Sequence, residues 1–193
     1  MSIRIFIDQG HNPGIINAGA SANGLEEQAI TFIVGSFLAD LLDADPRFAV
    51  RTSRMYPAQI LGNTTTQSLH QRVDMANGWP ADYYISIHAN ANPNPLINGS
   101  EVYVFQRDSI AYQLAQDVLV KLVAYAGTKD NEVRVNPSLY VLRATRMPAI
   151  LVELAYVTNV LDSLRLKEDP YAFAYGIYMG ILAFFNLPLP QSY

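Results

Sequence analysis

The chain has 193 residues, of which 50% are hydrophobic and 16% are charged, and its formal net charge is −4. This composition excludes an intrinsically disordered protein, which combines few apolar residues with a high charge. The Lys and Arg residues are scattered rather than clustered, so no nucleic-acid partner is expected. Cysteine is absent, which excludes disulfide scaffolds, thiolate metal sites and cysteine nucleophiles.

Short apolar runs rich in β-branched residues alternate with segments of helical periodicity. In chain order we predict strand 3–8, loop 10–24, helix 30–42, strand 48–53, loop 56–67, helix 68–77, strand 83–88, loop 89–99, strand 101–105, helix 109–125, an extended segment 133–142 interrupted at Pro137, strand 149–154, a short helix capped by Asn159 and helix 171–185. Helix 68–77 is predicted from the capping-box spacing of Ser68 and Gln71. The alternation indicates an α/β fold with a mostly parallel sheet flanked by helices on both faces.

No repeat, linker or change in composition divides the sequence. One domain over residues 1–193 is therefore expected, since an average domain has about 150 residues. The first apolar run is too short for a signal peptide, which indicates either a cytoplasmic start or a trimmed leader. Segment 171–185 is shorter than the about 20 residues of a membrane span, so we expect a buried helix, with membrane contact as the alternative.

Polar side chains follow three of the predicted strands, at the sheet edge where ligands of α/β proteins bind. His11 follows the first strand, His88 ends the third, and Glu153 follows the apolar run of the last. Each has a simpler explanation: an exposed loop histidine, a hydrogen-bonded core histidine, and a carboxylate in a salt bridge. Arg72 and Arg143 are the candidate partners for that salt bridge.

Four other polar residues lie near the same predicted edge or in the helices beside it. Glu26 and Glu27 begin a helix, where acidic residues also stabilise the helix dipole without a ligand. Asp8 either orients His11 as a hydrogen-bond acceptor or is an ordinary turn residue. His70 is interpreted as a surface residue.

Two histidines and one or two glutamates at one sheet edge suit a catalytic zinc site. Neutral imidazoles and a carboxylate are preferred ligands of catalytic Zn²⁺, which keeps a further position open for water. Zinc lowers the pKa of that water and polarises a carbonyl. A carboxylate that is not a ligand can then take and return the proton, and Glu153 suits that role.

Four segments resemble the zinc-dependent N-acetylmuramoyl-L-alanine amidases of the cell-wall hydrolase type. They are IFIDQGHNPG (5–14), GLEEQ (24–28), YYISIHANA (83–91) and MPAILVELAYVTN (147–159). Each is a weak signal by itself, but their joint order and spacing are specific. The departures from the family pattern are Gln9, Asn12-Pro13, Ala155 and Thr158, and none of them removes a residue of the implied site.

The resemblance implies a six-stranded α/β domain that binds Zn²⁺ through His11, Glu27 and His88. It favours Glu27 over Glu26, because the family's ligand comes three residues after the glycine, and it makes Glu153 the catalytic carboxylate. The implied reaction is hydrolysis of the amide between the lactyl group of N-acetylmuramic acid and L-alanine in peptidoglycan. The alternatives are a zinc peptidase that cuts within the stem peptide and a non-catalytic wall-binding module. Oligomeric state is not predicted.

Overall fold

Strands and helices alternate along the computed structural model, which describes residues 2–190. The strands are β1 (Ile3–Gln9), β2 (Ser21–Ala22), β3 (Leu25–Glu26), β4 (Phe48–Thr52), β5 (Tyr83–Asn90), β6 (Ser100–Val104), β7 (Asp130–Val135) and β8 (Ala149–Tyr156). The helices are α1 (Glu27–Asp43), α2 (Thr65–Gly78), α3 (Ile110–Ala126), α4 (Tyr140–Ala144), α5 (Val160–Glu168) and α6 (Pro170–Phe184).

A six-stranded sheet forms the centre of the domain, with the strand order β4-β1-β5-β8-β6-β7. Neighbouring strands are parallel except for β8 and β6, which are antiparallel. The remaining strands, β2 and β3, pair as a two-residue hairpin in the loop that precedes α1. The mostly parallel sheet expected from the sequence pattern and the six strands implied by the family resemblance are both confirmed.

Helices cover both faces of the sheet. The larger core lies between the sheet and α1, α3 and α6, which contribute buried residues such as Leu38, Val118 and Ile177. A smaller core under α2 and α4 includes Val73 and Leu142. On this face, residues of α2 and α4 line a cavity near the carboxyl ends of β1 and β5.

Two of the predicted elements are wrong in detail. Helix α2 begins at Thr65 rather than at Ser68, because Thr64 caps it: the Thr64 hydroxyl accepts a 3.1 Å hydrogen bond from the amide of Gln67. Ser68 is instead buried within the helix. The extended segment expected over 133–142 is correct only for β7. After Pro137 the chain turns and forms α4.

The apolar C-terminal segment forms helix α6, which packs against α3 and α1 as a buried helix. Within residues 2–190, no helix combines the length and the apolar character needed to cross a membrane. The glycines of α6 allow close packing, since Gly176 and Gly180 lie against the backbone of α3. A methyl group at Gly180 would clash with the Cα atom of Val118 and lie 2.9 Å from the carbonyl oxygen of Asp117.

We expect Gly180→Ala to destabilise the protein by about 1–3 kcal/mol, because overpacking forces the two helices apart. Gly78→Ala is the matched control, since that glycine also lies in a helix but has no atom within 4 Å of the added methyl group. The control should be neutral or stabilising, because alanine favours helix formation. Equal melting temperatures for the two variants would show that the close approach of α3 and α6 is not required.

Candidate active site

The site residues lie where the carboxyl ends of three adjacent parallel strands meet. Strands β1, β5 and β8 are neighbours in the sheet. His11 follows β1, while His88 and Glu153 lie near the ends of β5 and β8 and are paired in register. The sequence therefore predicted the correct edge of the sheet, and the structure brings these residues together there.

Glu27 reaches the same edge because the β2–β3 hairpin guides the chain into α1. The amide of Glu27 donates to the carbonyl of Ala20 at 2.9 Å, and Glu27 Oε2 accepts from the amide of Ala20 at 2.8 Å. Glu27 Oε1 also accepts from the amide of Ala89 at 3.1 Å. These bonds fix the carboxylate between the histidine-bearing segments. Glu26 is exposed and bonds Gln28 instead.

His11, Glu27 and His88 form a compact cluster. Glu27 Oε1 lies 3.0 Å from His11 Nε2 and 3.0 Å from His88 Nδ1. One donor atom from each residue lies within 4.8 Å of the others. The side chain of Glu27 is 6% exposed, while those of His11 and His88 are 21% and 18% exposed. The cluster is therefore anchored on a buried carboxylate and open to solvent through the two imidazoles.

The chemistry of this donor set fits a metal ion. His11 Nδ1 lies 3.0 Å from the carbonyl oxygen of Asn17, an arrangement that leaves Nε2 as the free donor atom. Burial favours the neutral form of Glu27, but its contacts with His11 and His88 outweigh burial and hold its pKa well below the usual value. Glu27 is thus the anion that a cation site requires, and two imidazoles with one carboxylate are ligands typical of catalytic zinc.

Gly10 allows the close approach of the His11 and His88 segments. A methyl group at this position would lie 2.5 Å from His88 Nε2 and 2.7 Å from the carbonyl oxygen of Ile87. The two imidazole rings can therefore meet edge to face, with their centroids 4.8 Å apart. Any larger residue at position 10 would displace the His88 ring.

Glu153 lies beside the cluster without a basic partner. Within residues 2–190 it forms no ion pair, and its buried Oε2 has no hydrogen-bond partner. Arg72 bonds Asp8, and Arg143 stacks on Tyr140, so the simpler salt-bridge explanation is wrong. Burial, followed by the charges of Glu27 and Glu101, raises the pKa of Glu153 well above its usual value.

Glu101, which lies opposite Glu153 on the antiparallel strand β6, was not among the residues predicted from the sequence. Its buried Oε1 accepts hydrogen bonds from Asn90 Nδ2 at 2.5 Å and from the Tyr103 hydroxyl at 3.0 Å. Arg134 Nε lies 3.0 Å from Oε2. The signal for this residue was available, because Glu101, like Glu153, is a carboxylate within an apolar strand.

Asp8 and His70 are not part of the cluster. Asp8 does not accept a hydrogen bond from His11: it bonds Arg72, Tyr84 and Ser86 beneath the site. Burial tends to raise the pKa of Asp8, but the charge of Arg72 and the Tyr84 hydroxyl lower it to about 2. His70 is exposed, as predicted.

A cavity of about 290 Å³ opens beside the two histidines. His11 and His88 line it together with Arg72 and with apolar side chains from the segments around α2 and α4, including Leu69, Leu139 and Tyr140. The cavity can therefore hold a ligand group next to the candidate metal ligands.

Residues 5–183 match the family model described as N-acetylmuramoyl-L-alanine amidase. The chain belongs to this family. It is 35% identical over 186 residues to N-acetylmuramoyl-L-alanine amidase LytC of Bacillus subtilis (strain 168), covering 94% of this chain and 35% of the relative. With CwlM of Bacillus licheniformis it shares 33% identity over 96% of this chain and 70% of the relative. The chain thus spans about a third of one relative and over two thirds of the other.

Solved amidase structures share the fold of this amidase-family domain. The catalytic domain of CwlV from Bacillus (Paenibacillus) polymyxa superposes with a TM-score of 0.84 at 25% identity, over 96% of this chain and 99% of that one. The amidase of Clostridium difficile 630 gives a TM-score of 0.84 at 28% identity, over 96% and 97% of the two chains. The family, fold class and enzyme class that the motifs indicated are confirmed.

Proposed function

We propose that this chain hydrolyses the amide bond between the lactyl group of N-acetylmuramic acid and L-alanine of the peptidoglycan stem peptide, with Zn²⁺ as cofactor. Membership of the amidase family supports peptidoglycan as the substrate and the cell wall as the place of action. The observation that carries the proposal is the convergence of His11, Glu27 and His88 beside the unpaired carboxyl group of Glu153. Residues 1–193 would then contain a single catalytic amidase domain.

His11, Glu27 and His88 are the residues that would hold the ion. When bound, zinc supplies Lewis acidity that polarises a carbonyl group and makes a water molecule more acidic. The chain itself holds the side chains that would bind the ion in a preformed arrangement. The Asn17 carbonyl orients His11, and the amides of Ala20 and Ala89 hold the two oxygens of Glu27.

Glu153 is the proposed proton carrier. It takes a proton from the attacking water as the new C–O bond forms at the lactyl carbonyl carbon. It then returns that proton to the alanine nitrogen as the C–N bond breaks, so that the products are a lactyl carboxylic acid and a free amine. Among residues 2–190 Glu153 has no basic partner, which leaves its carboxyl group free for this transfer, and the cavity beside His11 and His88 provides space for the substrate.

Digestion of purified peptidoglycan sacculi tests this function. We expect the protein to release stem peptides that carry a free L-alanine amine, as identified by mass spectrometry. A chelator should abolish the release, and added Zn²⁺ should restore it, because the ligands must hold the ion for the amide to be cleaved.

Other products would support the alternatives. New amines within the stem peptide would indicate a zinc peptidase. Binding to sacculi without any new amine would indicate a wall-binding module. If metal-free protein still released stem peptides with a free L-alanine amine in the presence of chelator, the proposed zinc cofactor would be contradicted. The proposed cleavage site would not.

A further inference from the structure

Two arginine side chains lie almost entirely buried beneath the candidate metal site. Arg72, in α2, and Arg54, which follows β4, are each 1% exposed. Only one buried carboxylate, that of Asp8, forms an ion pair with either of them in the described part of the chain. A buried guanidinium is costly because it loses its hydration, and apolar residues of similar volume often give equal or greater stability. Packing alone therefore does not explain why both residues are arginines.

Arg72 holds the backbone on both sides of Gly10. Its Nη1 atom donates to the carbonyl of Gln9 at 2.6 Å and to Asp8 Oδ1 at 2.5 Å. Its Nη2 atom donates to the carbonyl of His11. One planar guanidinium thus fixes the end of β1 and the backbone of His11 at the same time, which a single ammonium group cannot reproduce.

Arg54 joins the same loop to the start of α1. Its Nη2 atom donates to the carbonyl of Gln28 at 2.7 Å, directly after Glu27, and to the Thr31 hydroxyl at 3.2 Å. The Thr31 hydroxyl in turn donates to the carbonyl of Gly10 at 2.8 Å. The segments that carry His11 and Glu27 are therefore tied together through Arg54.

The backbone of His11 has an uncommon conformation. Its φ angle is 64°, in the left-handed region that few residues other than glycine adopt. Strained conformations of this kind persist where the surrounding structure holds them, and they are frequent at functional sites. Here the hydrogen bond from Arg72 to the His11 carbonyl, together with the bonds on either side, holds that conformation.

We propose that Arg54 and Arg72 are positioning residues that set His11 and Glu27 in their metal-binding arrangement before the ion binds. This inference rests on the proposed function, because it assumes that these two residues are zinc ligands. The two arginines act on His11 and Glu27 through the backbone carbonyl groups of Gln9, His11 and Gln28, to which they donate hydrogen bonds.

The inference is tested by measuring the zinc affinity of two variants, Arg54→Lys and Arg72→Lys. Competition with a chromophoric chelator gives the affinity. We expect binding to weaken about 10- to 100-fold, as is typical when residues that support metal ligands are replaced. Arg47→Lys is the matched control. Its guanidinium also bonds a carboxylate, Asp45, and a carbonyl, Pro188, but none of these residues belongs to the site. The control should bind zinc like the unsubstituted protein.

The outcomes separate positioning from a general contribution to stability. A purely structural role would lower the melting temperature of the lysine variants without changing their zinc affinity, and that result would overturn the inference. If the parent protein binds zinc and both folded variants bind it with the same affinity, this inference is overturned but the proposed function is not. Absence of zinc binding by the parent protein would overturn the proposed cofactor and this inference with it.

Hydrogen exchange of the unsubstituted protein provides a second test that does not depend on the folding of a variant. The amide of Gly10 donates to the carbonyl of Ile87 at 2.9 Å, and that of Asn12 donates to the carbonyl of Asn17 at 3.1 Å. If the arginines set the loop in advance, both amides are protected in metal-free protein. Rapid exchange without zinc, followed by protection on zinc addition, would show that the ion itself orders the loop.

Discussion

Replacing Glu153 by glutamine should lower the rate of amide hydrolysis at least about 100-fold, the lower end of what proton transfer by a positioned side chain contributes. Glutamine has nearly the same shape but cannot accept the proton of the attacking water. Because Glu153 is not one of the three clustered donor residues, the variant should retain its zinc content and its melting temperature. Release of amines from sacculi gives the rate, and elemental analysis gives the zinc content.

Glu168→Gln is a suitable control for this experiment. It removes the same charge at an exposed position at the end of α5, and it should leave the rate unchanged. Turnover of Glu153→Gln close to that of the control would contradict the role of Glu153. A joint loss of zinc and activity would indicate that Glu153 supports the metal site rather than the proton transfer.

Replacing Glu27 by glutamine should weaken zinc binding by more than the about 10- to 100-fold loss that is typical when residues that merely support a ligand are changed. The substitution removes the buried negative charge that faces both His11 and His88. The amide side chain can still bond the Ala20 backbone, so the fold should be retained. Activity should fall in parallel and recover in part at high zinc concentration.

Glu26→Gln is the matched control for Glu27→Gln, since the two residues are neighbours of the same type. Glu26 is exposed and bonds Gln28, so its replacement should leave zinc affinity unchanged. If Glu26→Gln, rather than Glu27→Gln, lost the ion, the ligand set proposed here would be wrong.

The main elements of the fold and the edge that carries the site were predictable from the sequence. Apolar runs such as residues 3–8 and 149–154 give a clear strand signal, and parallel strands bring their carboxyl ends to one edge. His11, His88 and Glu153 follow such runs, so their meeting could be inferred. The choice of Glu27 over Glu26 came from the family resemblance, because the strand pattern does not indicate which of two adjacent glutamates faces inward.

The polar network beneath the site was not predictable from the sequence. The sequence indicated Arg72 as a candidate partner of Glu153, but Arg72 bonds Asp8 instead, and no sequence pattern indicated a role for Arg54. Such pairs join residues that are far apart in the chain, and neither residue periodicity nor composition records which charged side chains meet. The start of α2 was ambiguous for a local reason, since Thr64 and Gln67 have the same spacing as Ser68 and Gln71 and either pair can begin a helix.

The most direct test of this account is the crystal structure of the zinc-loaded protein, with anomalous diffraction recorded on both sides of the zinc absorption edge. We predict one zinc peak bound by His11 Nε2, His88 Nδ1 and a carboxylate oxygen of Glu27, at the ligand distances of about 2.0–2.2 Å usual for zinc. No peak among these three side chains, in crystals of protein that cleaves peptidoglycan, would contradict it.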